Sequence, residues 1–206
     1  MKRFFDPNSF LWRGFGRVAD FFGLSICWMV CCLPVLTFVP ACVALYDAIA
    51  HIFVVADDPH CYRRFFRTFR SELKRGIGLS ALWLGIALLL SFGYQLAGQL
   101  VPAQMQAVAS VVFLAFAAIP VCILGWLIPI ESRFVYSFGQ LHGTALAFVM
   151  TQLPTTVAIL AIFTAGLLAL FYLPFLVMFL PAMMVWGQSW FIERVFQRCI
   201  ADASST

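Results

Sequence analysis

The chain has 206 residues, of which 63% are hydrophobic and 11% charged, and it carries a formal net charge of +4. Its mean hydropathy is +0.96. Soluble chains hold about 45–50% apolar and about 25% charged residues, so too little polar side chain is present to coat a water-facing surface, and an ordinary soluble domain is excluded. The excess of cations is read as a cytoplasmic bilayer face rather than a nucleic-acid surface.

Residues 1–20 read as an interfacial helix. Asn8 or Ser9 can cap it. Phe10, Leu11, Phe15, Val18 and Phe22 form an apolar stripe, with Arg13 and Arg17 on the polar side. Residues 21–56 follow as an apolar run interrupted at Pro34 and Pro40. This run is too long for one crossing of about 20 residues and short for two.

Charge decides how to read it. Lys2, Arg3, Arg13 and Arg17 precede the run, and Arg63, Arg64, Arg67, Arg70, Lys74 and Arg75 follow it. Cations of short loops stay on the cytoplasmic side, so the run should enter and return as a hairpin, turning between the two prolines. Each arm would have about 24 Å of helix. Residues 57–76 form a basic cytoplasmic loop, within which Tyr62–Arg75 is amphipathic. Phe66, Phe69 and Leu73 recur at helical spacing opposite Arg63, Arg67, Arg70 and Lys74, as in a helix lying flat at the interface.

Residues 77–192 supply four further spans: Ile77–Val101, Met105–Ile130, Thr144–Leu173 and Pro174–Ile192. Residues 193–206 form a tail. The expected fold is therefore all-α, a single membrane domain of about six passes with both termini cytoplasmic. The alternative has four full spans plus a re-entrant N-terminal hairpin. Both place all 13 Lys and Arg residues on one side.

Candidate chemistry is sparse. Asp47 and His51, four apart on one helix face, form a candidate intramembrane polar pair. Arg63, Arg64, Arg67, Arg70, Lys74 and Arg75 are candidates for contact with a partner or with lipid headgroups. Gln95, Gln99, Gln152 and Gln188 suit interhelical glue or the lining of a polar path. Ala81/Gly85 and Gly93/Ala97 are small-x3-small pairs that invite close helix approach. Asp20, Glu131 and Glu193 fall at span edges. The seven cysteines, including Cys27, Cys31 and Cys32 in a C-x3-C-C run, follow neither metal-knuckle nor disulfide spacing and read as small hydrophobes. Phosphate-binding, zinc-protease and serine-hydrolase motifs are absent. No enzyme, metal site or cofactor is expected.

Several stretches resemble the YesL-type family of bacterial membrane proteins, a family of unknown function. They are FFDPNSFLWRGFGRVADF, LPVLTFVPACVALYDAIAH, YRRFFRTFRSEL, RFVYSFGQLHGTALAFVMTQLPTT and WGQSWFIERVF, in this order along nearly the whole chain. The resemblance implies a multi-helix protein of the bacterial inner membrane in an accessory or regulatory role beside carbohydrate uptake. It carries over no catalytic residues. The first expectation is such an accessory, its basic face from Arg63 to Arg75 meeting a permease or its ATPase. The other expectation is a small transporter or channel acting alone. The partners expected are the lipid bilayer and transporter subunits, with no nucleic acid.

Overall fold

The computed structural model describes residues 10–51, 60–134 and 136–204, with side chains placed at 16–51, 60–102, 104–134 and 136–201. The expected cap residues Asn8 and Ser9, the cations Lys2, Arg3 and Arg13, the stripe residues Phe10, Leu11 and Phe15, and residues 52–59 between hairpin and basic loop lie outside the described side chains. Among the described residues all regular structure is helical. The elements are α1 (Phe10–Cys32), α2 (Phe38–Ala50), α3 (Cys61–Leu100), α4 (Gln106–Arg133), α5 (Phe138–Thr151), α6 (Leu153–Tyr172) and α7 (Leu180–Ser204), with 3-10 turns between some of them. Three of these, α3, α4 and α6, are long and apolar enough to cross a membrane.

α1 and α2 are joined by a short turn between Cys32 and Phe38. Pro34 lacks an N–H and ends α1. The turn is closed by the Thr37 amide, which donates to the Pro34 carbonyl at 2.7 Å, and by its hydroxyl, which reaches the carbonyls of Pro34 and Cys31. The returning arm is short. The 13 residues of α2 rise about 20 Å, and every residue from Val39 to Ala50 except Cys42 is buried. A helix apolar all round belongs in a core, and the alanines at 41, 44, 48 and 50 let neighbours approach on each side. Val39, Val43 and Tyr46 pack with Trp126, Leu127 and Ile130 of α4. Leu45, Ala48 and Ile49 pack with Leu24 of α1 and Phe65 of α3.

α2 runs antiparallel to the first half of α3. Gly76 makes this possible, because a Cβ there would lie 2.7 Å from the Pro40 ring. At the same level the Val39 amide donates to the Ser80 hydroxyl at 3.0 Å, satisfying one of the donors that a helix start leaves unpaired. α7 begins the same way, with the Ala182 amide donating to Ser25 of α1 at 3.2 Å.

Three expectations change in detail. The amphipathic stretch Tyr62–Arg75 is not a separate short interfacial helix. It is the first part of α3, a continuous helix of 40 residues, about 60 Å long. No proline interrupts the passage from basic to apolar sequence, and Gly76 and Gly78 at that passage remain helical. The N-terminal interfacial segment is likewise continuous with the first hairpin arm in α1. The run Thr144–Leu173 is not one span: it breaks at Gln152, whose φ of −111° and ψ of 51° leave the helix, and Pro154, without an N–H, falls in the first turn of α6, where helices tolerate it. Pro120 and Pro129, by contrast, are absorbed within α4.

The close approaches also differ from the small-x3-small reading. Open space surrounds Gly85, and Gly93 only touches the Phe113 ring. The tight contacts are at Gly76 against Pro40, Gly23 against Tyr62, Gly125 against Ile159 and Gly166 against Met184.

Candidate functional site

The titratable side chains gather at one end of the bundle, where α2, α3, α4 and α7 meet. Asp47 is 7% exposed. Arg64 of α3 clasps it with two bonds, Nε to Oδ2 at 2.9 Å and Nη2 to Oδ1 at 3.0 Å. The Thr68 hydroxyl, one turn on from Arg64, adds a third at 2.7 Å to Oδ2. A two-pronged guanidinium–carboxylate pair is both strong and orienting. His51 holds a lesser place. Its Nδ1 stands 3.5 Å from Asp47 Oδ1 without making a hydrogen bond. The expected Asp47–His51 pair is thus present at ion-pair distance, while Arg64 and Thr68 do the binding.

Two acids placed by sequence at span edges turn out to be interior. Glu193 of α7, 4% exposed, accepts from Arg133 of α4 at 2.6 Å and from the buried Tyr46 hydroxyl of α2 at 3.2 Å. Glu131 of α4, 7% exposed, lies 2.9 Å from Nε of Arg75 on α3, a contact out of line for hydrogen bonding. Arg75 also donates to the Tyr136 carbonyl. Each buried carboxylate therefore has its own arginine. Desolvating an ion is expensive, and such pairs persist only where partner and geometry are both supplied. The sequence reading does not pair Asp47 with Arg64 and Thr68, Glu193 with Arg133, or Glu131 with Arg75. The signal was present on α3, where Arg64, Thr68 and Arg75 fall on one stripe at helical spacing.

The six candidate cations accordingly divide. Arg64 and Arg75 turn inward onto acids. Arg63, Arg67, Arg70 and Lys74 are exposed, and their spacing of four, three and four residues sets them along a single line on α3. Exposed Phe66 and Tyr62 border this line.

The amide candidates are dispersed. Gln95 joins Tyr94, Gln106 and Ser110 around a small groove of about 200 Å³ between α3 and α4. Gln152 is the break between α5 and α6, and Gln188 lies on α7. Neither this groove nor the larger apolar one beside it reaches them. All seven thiols are free, and no cluster of three or more His, Cys, Asp or Glu suited to a metal occurs among the described residues.

Residues 21–94 match a family model described as a protein of unknown function, DUF624. The matched stretch runs from the hairpin through the apolar part of α3, so it contains Asp47, Arg64, Thr68 and the exposed cation line. No curated protein and no solved structure matches the chain.

Proposed function

We propose that this chain is a non-enzymatic multi-pass protein of the bacterial cytoplasmic membrane that docks a cytoplasmic partner on the exposed cation line of α3, as an accessory of a solute-uptake system. The observation that carries the reading is the division of the basic segment. Arg64 and Arg75 neutralise interior acids, whereas Arg63, Arg67, Arg70 and Lys74 are exposed, hold no ion pair among the described residues and stand in a row beside Phe66. The row sits on the part of α3 that α2 braces, so it is presented on a rigid support. Four aligned cations suit an acidic face on a permease or its ATPase. Carbohydrate as the solute rests on the resemblance to the YesL-type family.

In this reading the α1–α2 hairpin enters from the cytoplasmic side and returns without crossing. Its tip is fixed at the level of Ser80 by the Val39 and Pro40 contacts. From Ser80 to Leu100 α3 rises a further 30 Å or about that, which is a full hydrocarbon thickness. Leu33, Val35 and Leu36 at the tip are exposed and apolar, as an insertion into the near leaflet requires.

The test is co-purification from native membranes in mild detergent. With Arg63, Arg67, Arg70 and Lys74 all changed to Gln, a permease or ATPase subunit recovered with the unaltered protein should be lost, at unchanged yield of the protein itself. Equal recovery removes the docking role.

A further inference from the structure

We propose that the α6–α7 hairpin is a lipid anchor held in the cytoplasmic leaflet, with the loop between its arms at the headgroup layer. α6 then does not cross the bilayer, although its length and apolarity would suffice. The choice of leaflet rests on the cytoplasmic side given to the cation line in the docking reading.

Depth is readable along α3. This helix begins at Cys61 and ends at Leu100, so the α3–α4 loop lies about 60 Å from its start. The α6–α7 loop lies beside that start. Phe179 packs on Phe22 of α1, ring centroids 4.9 Å apart. The next residue of α1, Gly23, abuts the Tyr62 hydroxyl in the first turn of α3. Ala182, whose amide donates to Ser25, shares a buried cluster with Leu24, Cys61 and Phe65.

The other end of α6 lies deeper. Thr156 accepts from the Trp126 indole at 2.9 Å, and Ile159 meets Gly125. Trp126 belongs to the cluster of Val39, Leu79 and Trp83, at the level of the α1–α2 tip. α6 therefore runs from the level of Leu79 toward that of Tyr62, away from the α3–α4 loop. α7 returns beside it, with Met184 against Gly166, and brings Phe196 to Trp126 and Phe134. A crossing needs the opposite, with the α6–α7 loop on the far side near Leu100.

The outer surface of the hairpin fits one leaflet from acyl chain to phosphate. Leu153, Val157, Leu167 and Leu168 of α6 are more than half exposed and suit acyl chains. Tyr172 at the loop and Trp186 and Trp190 on α7 are exposed, and Tyr and Trp collect at the membrane–water boundary. Arg194, one turn beyond Trp190, lays its guanidinium carbon 3.5 Å from the centroid of that ring. Arg198 follows one turn later, also exposed. Neither holds an ion pair among the described residues, and headgroup phosphate supplies the complementary charge.

The experiment places single cysteines in the full chain, its own cysteines changed to Ser or Ala, and adds a membrane-impermeant maleimide to intact cells or to inside-out vesicles. Gln99→Cys should label from outside only and Ser71→Cys from inside only. Phe175→Cys should label from inside only, and more slowly than Ser71→Cys because lipid covers it. If Phe175→Cys labels from outside while the other two behave as expected, the anchor is overturned and the docking reading stands. Reversal of Gln99→Cys and Ser71→Cys overturns both. Labelling of Phe175→Cys from inside as fast as Ser71→Cys shows a loop in water, open to a protein partner, and overturns the lipid seat. Labelling from neither side puts the loop among acyl chains and overturns the headgroup seat. If Phe175→Cys does not fold, Tyr172→Cys decides by the same outcomes.

Discussion

Arg64 reaches from α3 across to Asp47 on α2 and closes two parallel bonds on its carboxylate, so the two antiparallel helices are joined side by side at a point where neither residue meets much water. Arg64 to Met should leave Asp47 charged and unpaired in the interior, at a cost of about 3–5 kcal/mol. The double change Asp47→Leu with Arg64→Met should recover most of that loss, because the desolvation of both ions disappears together. Thermal unfolding of the detergent-solubilised protein checks this. A double variant no more stable than the single one would show that the pair is not an isolated unit.

Packing at Gly76 is the second expectation. A valine there drives a side chain into Pro40, and overpacking of this kind costs about 1–3 kcal/mol. Gly85→Val faces open space and should leave stability nearly unchanged. The contrast between the two melting temperatures is the measurement, since both substitutions put the same residue into the same helix.

Trp126 supplies a third. Its ring forms a three-way cluster with Phe148 and Phe196, and its N–H donates to the Thr156 hydroxyl at 2.9 Å. Thr156→Val keeps the shape and removes the acceptor, and should cost about 0.6–2 kcal/mol. Thr156→Ser should keep most of the stability. Equal melting of all three proteins would show that the bond contributes nothing.

Topology gives the fourth. Single cysteines placed at Val35 and Gln99, in a chain whose own cysteines are changed to Ser or Ala, should react differently with a membrane-impermeant maleimide added outside intact cells. Gln99 should label and Val35 should not, because the hairpin tip stops near Ser80. Labelling at both positions would restore the six-pass arrangement.

Much of the fold was legible because hydropathy and proline act locally. The hairpin, α3 and α4 follow from apolar run length and from where an N–H is missing. The break at Gln152 was hidden inside a uniformly apolar run, where only Pro154 marked it. The basic segment was misread as a separate flat helix, because helical periodicity fixes which residues share a face but not whether the axis continues. For the site, Asp47 was visible as an acid in an apolar run. Its true partner was not, because Arg64 lies 17 residues away and pairing across helices depends on register. Glu131 and Glu193 looked like edge residues because depth was judged from each run alone, whereas their burial comes from neighbouring helices.

The enclosure of α2 bears on how the protein is made. This short helix leaves the ribosome early, yet parts of its surround, the Trp126 region of α4 and Glu193 of α7, are translated later. Until the last helix arrives, Tyr46 lacks its acceptor and Arg133 its counter-ion. Assembly therefore waits on the C-terminal segment, and a chain shortened before residue 193 should be an early target for membrane proteases rather than a smaller working version.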